Sequence, residues 1–432
     1  MFGSLLKHPL FQTLFSLRGN PRACVYTEPL WGIPYNLYAP YVSVYMLALG
    51  LSDSQIGLLL SVNLAVQIVS SLLSGPITDR LGRRKATFIF DFVCWSVPTI
   101  IWAISQNFTY FLIAAIINGS WRITHTSWTC LLVEDANEKQ LVDIYSWVYI
   151  SGLLSAFFAP IAGLLISRYT LVPTMRGLYI LAFVLMSAKF IILYIYSKET
   201  KQGQVRMQET QSQSFFHMLR GYKDVVKTIL QTPATLYTLG IMIAMTTANT
   251  IHNTFWSVIV TQRVLIPDAH IALYPFARSI IMLVFFFLAM PLIKEMKFRN
   301  PMLVGFMGLA LGQLILVLVP QKSYALLLVS TLLEACSYAT VSTQIDRMMV
   351  VTVNANERAR ISALMFLVVI IFSTPFGWIA GQLSEISRVL PFVLNISFYL
   401  IGAVLVLLTA RAQVKREQAA ALLTVSPVDE IA

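Results

Sequence analysis

The sequence predicts an all-α membrane protein of twelve transmembrane helices in two six-helix halves, and three observations carry that expectation. Hydrophobic residues make up 57% of the 432 and charged residues only 12%, with a mean hydropathy of +0.71; a soluble domain carries roughly 25% charged residues. Apolar segments of about 20 residues recur from end to end between short polar breaks, the length a helix needs to cross a bilayer and about twice that of a barrel strand. Positive charge is strongly biased to one side of that layout.

The spans are placed at 28–50, 54–77, 86–105, 108–133, 141–166, 173–197, 233–260, 269–292, 301–319, 323–346, 361–383 and 389–411. Residues 1–27 carry Lys7, His8, Arg18 and Arg22 but lack the apolar core and cleavage site of a secretory signal, and read as a cytoplasmic lead-in. The polar segment 198–232 separates an N-terminal half, 28–197, from a C-terminal half, 233–411, and 412–432 forms a cytoplasmic tail. Within the linker, residues 215–227 read either as an amphipathic helix on the inner leaflet or as a solvated linker helix. On this layout 23 of the 31 lysines and arginines fall on the side that holds both termini and 5 on the other, so both termini are expected in the cytoplasm and the chain in the plasma membrane. The net charge of +11 then reports topology, and no nucleic-acid partner is implied. Cys24, Cys94, Cys130 and Cys336 show neither metal spacing nor a disulfide framework.

The halves resemble each other. Ala136-Asn137-Glu138 recurs as Ala355-Asn356-Glu357, and Ile161-Ala162-Gly163 as Ile379-Ala380-Gly381, at shifts of 219 and 218 residues. Duplicated six-helix halves with substrate bound between them near mid-membrane are a common transporter architecture.

Between spans 2 and 3 runs Gly75-x-x-x-Asp79-Arg80-x-Gly82-Arg83-Arg84. Gly75 permits close helix approach, Asp79 closes the end of span 2, and Gly82 allows the reversal before Arg83. This stretch resembles the loop 2–3 signature of the major facilitator superfamily, and the resemblance extends over essentially the whole chain. It implies that Asp79 sits near the start of span 11, around Arg358, Arg360 and Ile361, as a latch favouring the state closed to the cytoplasm; Arg84 and Lys85 also suit anionic lipid heads. Glu134, Asp135 and Glu138 resemble the family's acidic residues after span 4, as partners for Arg80 or Arg83 or as ordinary loop charge. The matching stretch of the second half has Lys294 and Glu295 and lacks the glycines. The family's span 4 pattern is eroded, with Ala115 at its arginine position, Gly119 matching and Arg122 seven residues on. The exporter pattern of span 5 survives in part as Gly152 and Ala159-Pro160-Ile161-Ala162-Gly163, which leans towards efflux.

The resemblance also implies that spans 1, 4, 7 and 10 line the cavity. A charge at mid-membrane costs at least about 2.5–3.5 kcal/mol, so such residues usually face the interior. Span 4 carries Arg122 and His125 beside Trp121 and Trp128; span 10 carries Glu334 and Tyr338; span 7 carries Asn249, His252, Asn253 and Trp256; span 1 carries Trp31, Tyr35, Asn36 and Tyr38. Either Arg122 and Glu334 form a buried ion pair holding the halves together, or Arg122 binds an anionic group of the substrate while Glu334 exchanges a proton. His125 and His252 are candidates for proton exchange or for hydrogen-bonded packing. Asp91 in span 3 is a further candidate proton carrier, while Lys189 and Arg278 read as flanking residues, Lys189 able to snorkel.

The expected function is secondary active transport of a small organic solute by alternating access, coupled to protons and directed to efflux rather than uptake. The alternative is a non-transporting receptor or partner subunit of the same fold. No phosphate-binding loop and no catalytic or metal-ligand constellation is visible, so neither an enzyme nor a cofactor is expected. The partners expected are the solute, protons and membrane lipids around a monomer.

Overall fold

The computed structural model describes residues 9–137, 140–210, 233–288, 296, 298–352 and 358–424, and every regular element among them is helical. The expected surface helix at 215–227, Glu138, Lys294, Glu295 and the repeat at 355–357 lie outside the described residues.

The helices are α1 (Pro9–Ser16), α2 (Gly19–Tyr38), α3 (Val42–Ala48), α4 (Asp53–Leu81), α5 (Arg83–Asp91), α6 (Val97–Ile104), α7 (Phe108–Asn118), α8 (Trp121–Val133), α9 (Leu141–Ala156), α10 (Ala159–Tyr169), α11 (Leu171–Tyr196) and α12 (Lys201–Thr210). After the linker come α13 (Pro233–Gln262), α14 (Leu273–Leu288), α15 (Arg299–Leu318), α16 (Tyr324–Thr352), α17 (Arg358–Ile386) and α18 (Leu390–Thr424). Helix α2 starts nine residues before the expected span 1, at Gly19 rather than 28, and Cys24 within that extension is fully buried. At the other end α18 runs past the expected limit of 411 to Thr424.

Local chemistry explains the breaks. Ser52 and Gln55 start α4 with a reciprocal cap, in which Ser52 Oγ accepts the Gln55 N–H and Gln55 Oε1 accepts the Ser52 N–H. Between α5 and α6 lies a π-helical turn, Phe92–Ser96, followed by Pro98. Proline has no N–H to give the carbonyl four residues earlier. That carbonyl belongs to Cys94, and it accepts Asn118 Nδ2 at 2.9 Å instead. Gly119 and Ser120 interrupt the expected span 4 into α7 and α8.

Nine segments among the described residues are long and apolar enough to cross a membrane. The helical stretches at 19–48, 108–133 and 233–262 are not among them. These three carry Glu28 and Asn36, Arg122 and His125, and Asn249, His252 and Asn253, so the polar residues that depress their hydropathy are candidate site residues.

One buried apolar cluster joins helices from both sides of the linker, with Tyr41, Tyr45 and Tyr179 packed into the same core as Ile251, Val258 and Ile271. The longest shared face is that of α4 with α17. There, a side chain at Gly381 would meet Asp53 O at 2.8 Å and Gly57 Cα at 3.0 Å, which is why two backbones can touch only with glycine on both. Around it Ser61 Oγ donates to Thr374 O and accepts the Trp378 N–H, Ser384 Oγ donates to Asp53 Oδ2 at 2.8 Å, and Arg388 Nε lies 3.3 Å from Asp53 Oδ2. Ser43 Oγ to Thr254 O and the Ala272 N–H to Tyr41 Oη join the helices on either side of the linker at this same end.

Gly381→Val is expected to destabilise the protein by about 1–3 kcal/mol through overpacking of this face, read as a lowered unfolding midpoint in detergent; an unchanged midpoint would show that α4 and α17 do not rely on backbone contact.

Candidate functional site

A cavity of about 490 Å³ lies between the helices before the linker and those after it. Tyr35 and Asn36 enter it from α2, Tyr149 and Gly152 from α9, Asn249, His252, Asn253 and Trp256 from α13, Arg278 from α14, and Glu334 and Tyr338 from α16. Six of the sequence-predicted site residues therefore meet here: Tyr35, Asn36, Asn249, His252, Asn253 and Glu334. On α2 the positions 31, 35 and 38 share a face, and Tyr35 stacks on Trp31 with centroids 4.7 Å apart.

Glu334 is 8% exposed. Ser330 Oγ donates to its Oε1 at 3.2 Å, and His252 Nδ1 lies 3.3 Å from its Oε2. The same Nδ1 is 2.8 Å from Gln313 Nε2, and Gln313 Oε1 is buried without a partner. One ring nitrogen cannot both accept from the Gln313 amide and donate to Glu334. Two arrangements are open to the trio. With Gln313 donating to Nδ1, Glu334 is protonated and in reach of the same lone pair; with Nδ1 protonated and donating to an ionised Glu334, the Gln313 amide turns its oxygen to the ring. They differ by the position of a proton, and each leaves one end of the Gln313 amide without a partner.

The cation beside this carboxylate is Arg278, whose charge acts on Glu334 and whose guanidinium lies 5.6 Å from the Tyr338 ring centre. Sequence reading put Arg278 on a flanking helix. Arg122, expected opposite Glu334, instead donates from Nε to Gln67 Oε1 at 3.2 Å and lies over the Trp121 ring. Gln67 donates to Asn63, and Asn63 to the Ala115 carbonyl and Asn118 Oδ1. Arg122 thus ends a row of amides that ties the α7–α8 break to α4.

His125 and Asp91 belong to a second, smaller cavity of about 160 Å³, lined also by Glu28, Trp31, Trp95, Trp121, Thr124, Trp128 and Lys189. Lys189 does not snorkel: it is 4% exposed, and its Nζ pairs with Glu28 Oε2 at 2.8 Å. Thr124 Oγ1 donates to Asp91 Oδ1 at 2.7 Å. His125 is exposed and packs edge-on against Trp121. Glu28 was missed because it stood at the edge of an expected span; its helical spacing with Trp31 and Tyr35 was the signal available.

The charged stretch after α4 is organised around Arg83, which is 4% exposed. Its Nη1 donates to Asp79 Oδ1 at 2.9 Å and its Nε to both oxygens of Glu134 at 3.1 Å. Gly82, at φ 82°, makes the reversal and offers no side chain to cap α5. Glu199 caps it from afar, accepting the N–H groups of Arg83 at 2.8 Å and Arg84 at 3.0 Å. Arg84 donates to Tyr194 O and stacks over that ring, while Arg80 is exposed. A side chain at Gly75 would meet nothing within 4 Å. The side chains of Arg358, Arg360 and Ile361, the expected far side of an Asp79 latch, lie outside the described ones.

A sequence model of the Major Facilitator Superfamily matches residues 31–369. The chain is similar to the quinolone resistance protein NorA of Staphylococcus aureus, 30% identical over 83 residues, a match that takes in 19% of this chain and only 21% of NorA. It is 25% identical over 127 residues to YqjV, an uncharacterized MFS-type transporter of Bacillus subtilis, covering 29% and 31% of the two chains. Among solved structures, a mutant of the nucleoside transporter NupG superposes with a TM-score of 0.73 over 90% of this chain and 99% of that one, at 13% identity. A POT family transporter in complex with 5-aminolevulinic acid superposes with a TM-score of 0.67 over 91% and 95%, at 14% identity. These likenesses establish the fold.

Removing Glu134 leaves the buried Arg83 with Asp79 as its remaining counter-charge, so Glu134→Ala is expected to cost about 1.5–3 kcal/mol, the loss of a charged hydrogen bond. Unfolding of the purified variant measures it, and a loss far smaller would mean that Asp79 alone suffices.

Proposed function

Because the chain belongs to the Major Facilitator Superfamily, we propose that it is a secondary active transporter that carries a small organic solute through the cavity around Tyr35, Asn253, Arg278 and Glu334. The observation that carries the reading is the convergence on one cavity of polar and aromatic residues from both sides of the linker. Arg278 supplies a fixed cation for an anionic or strongly polar group, and Tyr35, Trp256 and Tyr274 supply flat apolar walls, so an amphiphilic solute fits.

In this reading the protein has twelve spans in two six-helix halves. The nine apolar segments are joined by the three polar ones at 19–48, 108–133 and 233–262, whose polarity suits helices that face cavities rather than lipid. The excess of positive charge assigns the Gly82 end and both termini to the cytoplasm. The contacts of Asp53, Gly57 and Ser61 with α17 then form the closed outer gate, and transport requires their separation as the Gly82 end closes. The protein acts as a monomer in the plasma membrane, among lipids that Arg80 and Lys85 can meet.

Proton coupling is supported by the trio Glu334, His252 and Gln313, which has two arrangements one proton apart. A solute group at Arg278 alters the field on Glu334 and so biases which arrangement holds. Efflux is favoured slightly over uptake, because a relative is a quinolone resistance protein and the Pro-x-x-Gly remnant at Pro160 and Gly163 follows the exporter pattern.

Purified protein in vesicles, offered a panel of amphiphilic solutes under an imposed proton gradient, tests the proposal. Wild type is expected to move at least one solute faster with the gradient than without. Glu334→Gln should keep exchange but lose the dependence on the gradient. Arg278→Ala should raise the half-saturating concentration by about 10–100-fold, the loss of one charged hydrogen bond. Gradient-driven transport unchanged in both variants would remove these residues from the mechanism, and no transport of any solute would favour a receptor of the same fold.

A further inference from the structure

Behind the stacked rings of Trp31 and Tyr35 the smaller cavity forms a chamber of its own, since Tyr35 faces the larger cavity and Trp31 the smaller. Its volume, about 160 Å³, is many times the roughly 10–15 Å³ that a single water needs. The charged and titratable groups facing it are Glu28 from α2, Asp91 from α5, His125 from α8 and Lys189 from α11. With His125 neutral, two carboxylates stand against one ammonium.

The balance is uneven in space as well as in number. Lys189 is committed to Glu28, with Nζ 2.8 Å from Oε2. Asp91 is only 6% exposed, yet its one hydrogen bond comes from the neutral Thr124 hydroxyl to Oδ1; among the described residues no cation lies within ion-pair distance of it, and the charge of Lys189 acts on it only from beyond that distance. A carboxylate left so at membrane depth calls for a positive charge.

The walls say what kind. Trp31, Trp95, Trp121 and Trp128 line the chamber, half of the eight tryptophans in the chain. Lys189 Nζ already lies 5.8 Å from the ring centre of Trp31 and 5.7 Å from that of Trp128, so these rings present themselves to a cation within cation–π range. Indole faces and a desolvated carboxylate suit a weakly hydrated organic cation. We propose that the chamber between α2, α5, α8 and α11 is a binding site for an organic ammonium group, held by Asp91 and the rings of Trp95 and Trp128, with Trp31 and Trp121, whose faces Tyr35, Lys189 and Arg122 already cover, closing the walls. Glu28 and Lys189 are positioning residues, which hold the fourth wall and leave Asp91 free for the ligand.

The site is separate from the transport reading and does not depend on it. Its test uses purified full-length protein in detergent, titrated with tetramethylammonium chloride against potassium chloride at equal ionic strength, with tryptophan fluorescence and heat as readouts. Wild type is expected to give a saturable change that potassium does not. Asp91→Asn should weaken binding by about tenfold or more, Asp91→Glu should restore most of it, and Trp128→Leu should weaken it by about 2–30-fold, the range of one cation–π contact. Melting midpoints of the variants report folding, and Trp128→Leu keeps the test open if Asp91→Asn does not fold. The proposal is overturned if tetramethylammonium gives no saturable response beyond potassium, or if folded Asp91→Asn binds as wild type does. It is also overturned if acidification alone reproduces the fluorescence change and tetramethylammonium adds nothing, since Asp91 would then take a proton instead. Binding without solute transport in vesicles would count against the transport reading alone.

Discussion

A charge held at membrane depth has no water to fall back on, and it persists only if the protein supplies its counter-charge. The interior of this protein is organised by that constraint. Arg83 is enclosed by Asp79 and Glu134, Lys189 by Glu28, and Asp53 by Ser384 with Arg388 in reach. Apart from Arg83 with Asp79, four residues away, these pairings join segments distant in sequence, so they also fix which helices are neighbours. Three carboxylates line the two cavities: Glu28 is paired with Lys189, while Asp91 accepts from the Thr124 hydroxyl and Glu334 from the Ser330 hydroxyl with His252 in reach.

Helix α4 brings these pairings into one mechanical element. Its 29 residues span about 44 Å at the rise of an α-helix. Asp53, Gly57 and Ser61 meet α17 at one end, Asn63 and Gln67 hold the α7–α8 break and Arg122 in the middle, and Asp79 meets Arg83 at the other end. The contact with α17 is made of glycine and small hydroxyl side chains, which fit closely but interlock little. A face of that kind can part without dragging large side chains out of pockets. The end around Arg83 is different in kind, because there Glu134, Glu199 and Thr200 bind the turn to helices on the same side of the linker. Its contacts therefore lie within one side of the linker, whereas those of α4 with α17 cross it.

The helical class and the existence of most spans were legible from hydropathy alone, because a 20-residue apolar run has few other uses. The cavity residues on α13 and α16 were legible for the same reason inverted: Asn249, His252, Asn253 and Glu334 are costly where they stand. What the sequence could not convey was pairing. Glu28 lay at the edge of an expected span and looked like an interfacial charge, until α2 proved to begin at Gly19 and carried it inside. Arg278 was set aside because of the helix it occupies, although its side chain reaches the cavity. Glu199 gave no sign that it caps α5 across 116 residues, since the cue was an absence, the missing side chain of Gly82.

Arg122 shows where the cost of burial stops discriminating. A buried arginine is as costly in a scaffold as in a binding site, so the penalty identifies residues that must be answered without saying by what. Here the answer follows from the backbone. Pro98 frees the Cys94 carbonyl, Asn118 takes it, and Asn118 in turn accepts from Asn63. Gly119 ends α7, and the Ser70 hydroxyl donates to its carbonyl. Asn63 holds the Ala115 carbonyl and passes the chain to Gln67, whose remaining acceptor is used by Arg122. Each donor in that row is set by the one before it, and the row starts at a proline. A guanidinium is the terminus that fits, because it donates only and cannot compete for the carbonyls already taken. The charge that looked most like a substrate anchor thus has its contacts in the repair of a helix break, and the arginine that lines the larger cavity with Glu334 is Arg278.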